Sequence, residues 1–503
     1  MTDRFMDPML LPKWYACVMA FIVGIIVFSI MFSFGKVIVD VLFLYKEISR
    51  LTNYVVFIEA LISVLQLCGI FQINIGSSVG TFDNLAGFSA CLSLSFPVGF
   101  LHYSEYKKKE RLFFIISKVL SVFALALYGS RTGLISVLLV LIIISFRRYK
   151  QKIVFSLLFL ILSIPLSAVL LKVDSANGRW FISCRTFEMI CKHPIMGWGQ
   201  NGFVANYMDV QAQYFGSYPD SPYSILADNI HHPLNEFLLI GVNYGILGVI
   251  LVFGFLLFTF VLYVRDNTPH KREGLLILIC ILIQSSFSYP FSYPFSYLLL
   301  VLSLLLIFSK RVYRLQNFMW NRIFFILLVI CMSFCMASMI RKTVAQMKWK
   351  YVSEQANILL PDDIKLAYAE LYPTLGSNID FLYDYATEMF LGEKYELSFQ
   401  LVRKIQSQIS DYNLQLLIGD LYEANKNHQM AIQSYEKASL MCPSKVAPLY
   451  ETYKIYRNLN DTANCMRIYE QLSNKKIKVN NILVNRMIEE VDSDVRFFLE
   501  HNN

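Results

Sequence analysis

The feature that most constrains this chain is a recurrence of apolar runs of about 20 residues, the length a helix needs to cross ~30 Å of hydrocarbon. The runs begin at Trp14, recur to about Ile340 and then stop. In lipid every backbone amide must be satisfied within its own segment, so such a chain folds as a bundle of membrane helices. The expected spans are 14–34, 51–71, 84–103, 112–129, 131–146, 153–171, 236–264, 274–289, 291–308 and 323–340, about ten in all. Composition agrees, with 56% hydrophobic and only 16% charged residues and a mean hydropathy of +0.47, far from a soluble enzyme. The expected fold class is all-α: a polytopic membrane domain over 1–340 and a soluble α-helical repeat domain over 341–503.

The net charge of +8 does not imply nucleic acid, because the basic residues cluster in short connections between spans. "GKVIVDVLFLYKEISR", "YKKKER", "FRRYKQK", "RDNTPHKRE" and "KRVYRLQNFMWNR" fall on alternate turns of the bundle. The positive-inside rule makes that side cytoplasmic. "QINIGSSVGTF", the "GSRTG" turn, the Lys172 to Asn235 connection and "SYPFSYP" are then external, as are both termini and the tail. The first run lacks a small-residue cleavage site and reads as an uncleaved span. Six of the ten cysteines lie in apolar segments as small hydrophobes. Cys184 and Cys191 are seven residues apart, ~10 Å along a helix, which is beyond disulfide reach.

In the tail, Gly419, Tyr422, Ala431, Tyr435, Ala438 and Pro443 fall at the spacings of a 34-residue helix-turn-helix unit. A weaker copy follows with Tyr456 and Tyr469, and "FLYDYATEMFLGEKYELSFQLVRKI" reads as another helix pair before it. Stacked pairs present a concave surface suited to a protein partner.

Candidate chemistry concentrates in the connection 172–235, a length at which loops are commonly functional. Its stretch from Arg179 to His193 has the apolar spacing of an amphipathic surface helix, with Arg179 just before the helix and Arg185, Lys192 and His193 along it. Arg131 sits in the tight "GSRTG" turn at the membrane surface, where a charge is costly. Arginine cannot act as a base, but its planar fork suits phosphate oxygens, so Arg131 and Arg179 read as anion clamps. At the end of the loop, "HHPLNEFLLIGVNYGILG" places Pro233 in a first helical turn. His232 is then expected at the N-cap, where the helix dipole keeps its ring neutral and able to accept a proton. His231 and Asn235 are read equally well as catalytic or as capping residues, Glu236 as structural. Gly241, Gly245 and Gly248 are expected to form a stripe for close helix approach.

Together, "SRTG" opening a span, "GR" and "HPIMGWGQNGF" in a long loop, and His-x-x-Asn-x-x-Leu leading into "GVNYGILG" resemble the O-antigen ligase and polymerase superfamily. "GTFDNLAGFSACLSLSFPVGF" is similar to a further stretch common there, and the resemblance covers roughly 75–310. It implies a multi-span protein of the bacterial inner membrane with a periplasmic tail. Such a protein, without metal or cofactor, moves a glycan from a polyprenyl-pyrophosphate-linked donor to an acceptor hydroxyl. The acceptor is lipid A core for a ligase, protein Ser or Thr for an oligosaccharyltransferase, and another carrier-linked chain for a polymerase. Carried over by residue, Arg131, Arg179 and Arg185 hold the pyrophosphate, and a loop-end histidine activates the acceptor with Asn235 in support. The family often has a histidine immediately before that asparagine, where this chain has Leu234, so the proton-accepting role falls to His231 or His232. A transporter of lipid-linked sugars, the alternative from another class, would carry mid-span ionisable groups or broken helices in repeated halves.

Overall fold

The computed structural model describes residues 41–70, 79–82, 84–100, 103–145, 173–265, 268–314, 321–356 and 358–501, with single positions at 19, 22 and 23. The expected spans at 14–34 and 153–171 lie outside the described residues, those three positions apart. What is described is helical. The elements of the apolar half are α1 (Val41–Leu67), α2 (Leu85–Ser95), α3 (Lys108–Leu127), α4 (Arg131–Ser145), α5 (Val173–Lys192), α6 (Gly202–Ser217), α7 (Glu236–Arg265), α8 (Pro269–Phe287), α9 (Pro294–Arg314) and α10 (Asn321–Gln355). The tail continues with α11 (Pro361–Leu375), α12 (Ile379–Leu391), α13 (Tyr395–Gln406), α14 (Tyr412–Ala424), α15 (His428–Met441), α16 (Ala447–Asn458), α17 (Thr462–Ser473) and α18 (Ile482–His501).

Among the described residues three stretches are long and apolar enough to cross a membrane, Tyr45–Leu67, Glu236–Arg265 and Ile326–Gln355, while Leu85–Ser95, Arg131–Ile144 and Pro294–Phe308 are shorter apolar helices. The expected span 84–103 is cut to α2 because Pro97, which has no amide to donate, follows its end. At its start the Asn84 side chain accepts from the Gly87 amide at 3.0 Å, an N-cap. α2, α4, α8 and α9 enclose one apolar core, with Phe88, Leu92, Val137, Ile277, Ile281 and Leu306 buried.

α7 is broken. Gly245 adopts φ +61 and ψ −160, a conformation open essentially to glycine alone. The backbone groups freed by the break are taken up by the segment after α5. Trp198 N donates to Val242 O at 2.8 Å and Gly199 N to Asn243 O at 3.0 Å, while Ile246 N donates to Pro194 O at 2.8 Å. A Cβ on Gly245 would lie 2.2 Å from the Ile195 carbonyl oxygen. The expected glycine stripe is corrected at Gly245, which serves the close approach of a loop and a break in the helix, whereas Gly241 does face a neighbouring helix, a Cβ there lying 2.8 Å from Ile190 Cδ1 of α5.

α10 runs unbroken from Asn321 to Gln355, through the boundary expected at 340. Its last turns bury Ala345 and Trp349 among Tyr368, Phe381 and Tyr385, and Trp349 Nε1 donates to Asp384 Oδ2 at 2.6 Å. Beyond it helices pack in successive pairs, α12 with α13, α14 with α15, α16 with α17. Each pair turns through a left-handed residue, Glu393, Lys426 and Asn460, recurring at about 34 residues. Tyr435, Ala431 and Ala438 are fully buried, and a Cβ on Gly419 would meet the Tyr435 ring at 2.3 Å.

The tail is seated on the segment 173–235. Phe203, Tyr207 and Met208 share a buried cluster with Tyr412, Ala438 and Met441. Gln211 Nε2 donates to Met441 O at 2.6 Å, Ser410 N to Val204 O at 3.1 Å, and Lys437 pairs with Asp209 at 2.8 Å.

Replacing Gly245 by Val is expected to destabilise the protein by about 3 kcal/mol, from a disallowed backbone conformation and a collision with a backbone carbonyl. Thermal unfolding in detergent checks this; an unchanged midpoint would contradict the break.

Candidate functional site

The candidate residues come from four segments. Arg131 is the first residue of α4, whose N-terminus is capped by Ser130, with Gly133 N donating to Ser130 Oγ at 3.3 Å. First-turn amides of a helix have no intrahelical partner, so this end adds positive potential to the arginine. Arg179 lies within α5, which starts at Val173, not ahead of the helix as its sequence suggested. Its Nη1 donates to Phe287 O at 2.8 Å, across to the end of α8. Although its side chain keeps contact with solvent, the surrounding protein and then the Arg131 charge lower its proton affinity, and Tyr289 acts the other way. Arg131 is therefore within electrostatic reach of Arg179 and raises the cost of its charge.

The histidine pair occupies the entry to α7. The helix starts at Glu236, with Asn235 Oδ1 accepting from the amides of Phe237 at 2.9 Å and Leu238 at 3.0 Å. Asn235 is thus the N-cap, and its Nδ2 also donates to Ser286 O at 2.9 Å. This corrects the placement of His232 at the cap. The physical reason is Leu234, whose φ of +56 turns the chain between Pro233 and the helix. His232 Nδ1 accepts the Leu234 amide at 2.9 Å. A nitrogen that accepts cannot also carry the proton, so the neutral ring is protonated at Nε2. Nε2 lies 3.6 Å from Glu236 Oε2. The Glu236 carboxylate is buried, at 7% exposure, and its Oε1 accepts from Phe291 N at 3.2 Å.

His231 faces away from this pair. Its Nε2 lies 3.3 Å from Asp411 Oδ2, in the tail. Burial lowers the proton affinity of His231 and raises that of Asp411, and each is partly offset by the other's charge.

"SYPFSYPFSY", Ser288 to Tyr297, reads from sequence as an external turn with an interfacial aromatic belt, a carrier or sugar contact being the lesser reading, and its tyrosines lie beside His232. The Tyr289 ring lies 5.1 Å from that of His232 and stacks on Tyr293 at 6.2 Å. Tyr293 in turn donates to the Asn84 cap of α2 at 2.7 Å, and Phe82 packs edge-on against it at 6.0 Å. Burial raises the Tyr289 pKa, with Arg179 acting against this. Arg179, Tyr289, His232 and Glu236 thus gather at the end of α8, with Arg131 close enough to Arg179 for their charges to interact.

Arg185 is directed elsewhere. It pairs with Glu188 at 2.8 Å and sits over the Tyr214 ring at 4.3 Å. Lys192 also pairs with Glu188, at 3.1 Å, and His193 packs on Trp198 at 4.2 Å between ring centroids. Cys184 and Cys191 are free thiols, as their spacing predicts.

Sequence reading missed two members, Tyr289 and Glu236. Glu236 carried a usable signal, since an acid opening a strongly apolar span is costly unless it has partners. Tyr289 carried only an aromatic-rich turn, which equally fits an interfacial belt.

Residues 116–253 match the family model described as O-antigen ligase. The match runs from α3 to beyond the break in α7 and includes Arg131, Arg179, His232 and Glu236. It supports the O-antigen ligase superfamily and a membrane function of O-antigen ligase or polymerase type. Among curated proteins, none matches the chain.

Two mutually repelling guanidinium groups gain from a shared polyanion. Inorganic pyrophosphate at about ten times its dissociation constant is expected to stabilise the wild type by about 1.4 kcal/mol. In thermal unfolding Arg179→Ala should lose that gain. Arg185→Ala should keep it while melting lower, having lost about 1 kcal/mol of packing and stacking.

Proposed function

We propose that this chain is a membrane glycosyltransferase of O-antigen ligase type. It transfers a glycan from a polyprenyl pyrophosphate carrier to an acceptor hydroxyl, on lipid A core or on protein Ser or Thr, at the periplasmic face of the bacterial inner membrane. The observation that carries this reading is the convergence of Arg131 and Arg179 with the His232–Glu236 pair about Tyr289, within a chain whose middle matches an O-antigen ligase model. In this reading Arg131 and Arg179 hold the pyrophosphate and neutralise the charge that grows on it as the sugar leaves. The acceptor oxygen attacks the anomeric carbon, the bond from that carbon to the pyrophosphate oxygen breaks, and its electron pair stays with the pyrophosphate. The hydroxyl proton passes to the Glu236 carboxylate, while the His232 Nε2–H, 3.6 Å from Glu236 Oε2 and too far for a direct hydrogen bond to it, donates to the acceptor oxygen and orients it. Tyr289 offers an aromatic wall for a sugar ring. Asn235 sets the entry of α7, and hence the pair, through its cap.

The same reading takes residues 1–340 as the membrane domain with about ten spans and a periplasmic loop over 172–235, and residues 341–503 as a periplasmic tetratricopeptide-like domain. The recurring left-handed turns and the Gly419–Tyr435 contact support the repeat assignment. The broken α7 gives little support to a transporter, because the segment 194–199 takes up its freed backbone groups.

In a strain lacking the gene, complementation with His232→Ala or Arg131→Ala is expected to cut transfer by about 100-fold. Surface polysaccharide and glycoproteins serve as the readout. Unlinked full-length polymer identifies a ligase, single repeat units a polymerase, and underglycosylated proteins beside intact lipopolysaccharide a protein transferase. Normal glycans in both variants would sink the assignment.

A further inference from the structure

The tail meets the candidate site at one point, and the contact there is built from both sides. Asp411, just ahead of α14, is 2% exposed. Its Oδ1 caps α14 by accepting the Leu414 amide at 2.9 Å. Its Oδ2 accepts from Asn229 Nδ2 at 2.5 Å and faces His231 Nε2 at 3.3 Å. Asn229 closes the interlock, its Oδ1 accepting the Tyr412 amide at 3.3 Å. One residue further back, Asp228 is held by Lys478 at 3.1 Å and Lys445 at 3.8 Å, both from the tail.

Between Leu226 and Glu236 the chain has no regular helix. Asn229 and His231 reach the tail from this stretch, while the next residue, His232, meets Tyr289 and Glu236. With the His231 side chain released, the turn from His231 to Leu234 loses its polar tie to the tail and is held by the His232–Leu234 hydrogen bond and by the packing of His232, Pro233 and Leu234. Reaction rates are sensitive to such freedom, since misplacement of about 1 Å can cost 100-fold.

We infer that Asp411 is a positioning residue for glycan transfer: acting through Asn229 and His231, it makes the docked tail a structural part of the transfer site and aims His232 at the acceptor. The inference rests on the reading of His232 given above. It separates the two histidines by role. His232 handles the acceptor, and His231 is the peg by which the tail holds the loop.

The test uses the full-length protein in membranes supplied with polyprenyl-pyrophosphate-linked oligosaccharide, following release of polyprenyl pyrophosphate. Asp411→Ala is expected to lower kcat by about tenfold with the donor KM within about twofold. Asn229→Ala, which leaves the α14 cap intact and so guards against an unfolded tail, should do the same. His231→Gln, whose amide can still donate to Asp411 but cannot carry a proton, should stay within about threefold of wild type, whereas His231→Ala falls with Asp411→Ala. His232→Ala should lose about 100-fold. Unchanged kcat in both Asp411→Ala and Asn229→Ala overturns the inference, as does a rise in donor KM alone. A His231→Gln variant as inactive as His232→Ala overturns it too, by making His231 a proton carrier. An active His232→Ala would instead remove the function proposed for the site, so the two failures are distinguishable.

Discussion

A helix that breaks inside an apolar run must find partners for the amides and carbonyls it frees, and the rest of the structure depends on how α7 does so. The break at Gly245 is hydrogen bonded by residues 194–199. That contact fixes the end of α5 to α7, and with it the distance between Arg179, on α5, and the Asn235–Glu236 start of α7. A second tie runs from Arg179 and Asn235 to the carbonyls of Phe287 and Ser286, at the end of α8. The segment after α5 is therefore joined to α7 by backbone-to-backbone bonds, and both helices are tied to the end of α8 by side chains that donate to its carbonyls. Such ties give a site its precision.

The electrostatics of this end are arranged in two halves. Arg131 and Arg179 form a positive half whose charges oppose one another. His232 and Glu236 form the other half, with the Glu236 carboxylate buried and hydrogen bonded to Phe291 N. Tyr289 stands between them, in contact with the His232 ring and influenced by the Arg179 charge. In the reaction we propose, a bound polyanion relieves the first half, while the Glu236 carboxylate of the second takes up a proton. The tail touches neither half directly. It reaches the same segment of chain through Asn229 and His231, which makes the seating of the repeats a condition on the geometry of the loop.

Much of the fold was legible because membrane helices declare themselves by length and apolar composition. Glu236–Arg265 follows the expected 236–264 closely, and Arg131–Ser145 the expected 131–146. The regular pairing in the tail followed from the positions of Gly419, Ala431, Tyr435 and Ala438, since close helix packing demands small residues opposite a large ring. Local irregularity was harder to read. Proline at 233 suggested an immediate helix start, but Leu234 takes a left-handed conformation that sequence does not advertise, and the cap moved to Asn235. The glycines of α7 signalled close approach correctly, without telling whether helix or loop would approach.

The sequence by itself determined that this chain is a helical membrane protein with a helical tail, and it marked Arg131, Arg179 and the two histidines as the residues to watch. Those facts are carried by hydrophobic period, by chain-local turn chemistry and by the cost of placing charge near lipid, all of which act over a few residues. Tertiary structure alone decided which of them meet. It brought Tyr289 and Glu236 to His232, turned Arg185 to Glu188 and Tyr214, and set His231 against Asp411, 180 positions along the chain. The contacts of His232 with Tyr289, Arg185 with Tyr214 and His231 with Asp411 join segments far apart in the chain, and local sequence does not encode which distant partner a side chain will face; the His232–Glu236 and Arg185–Glu188 pairs are local, set by the path of the backbone between them.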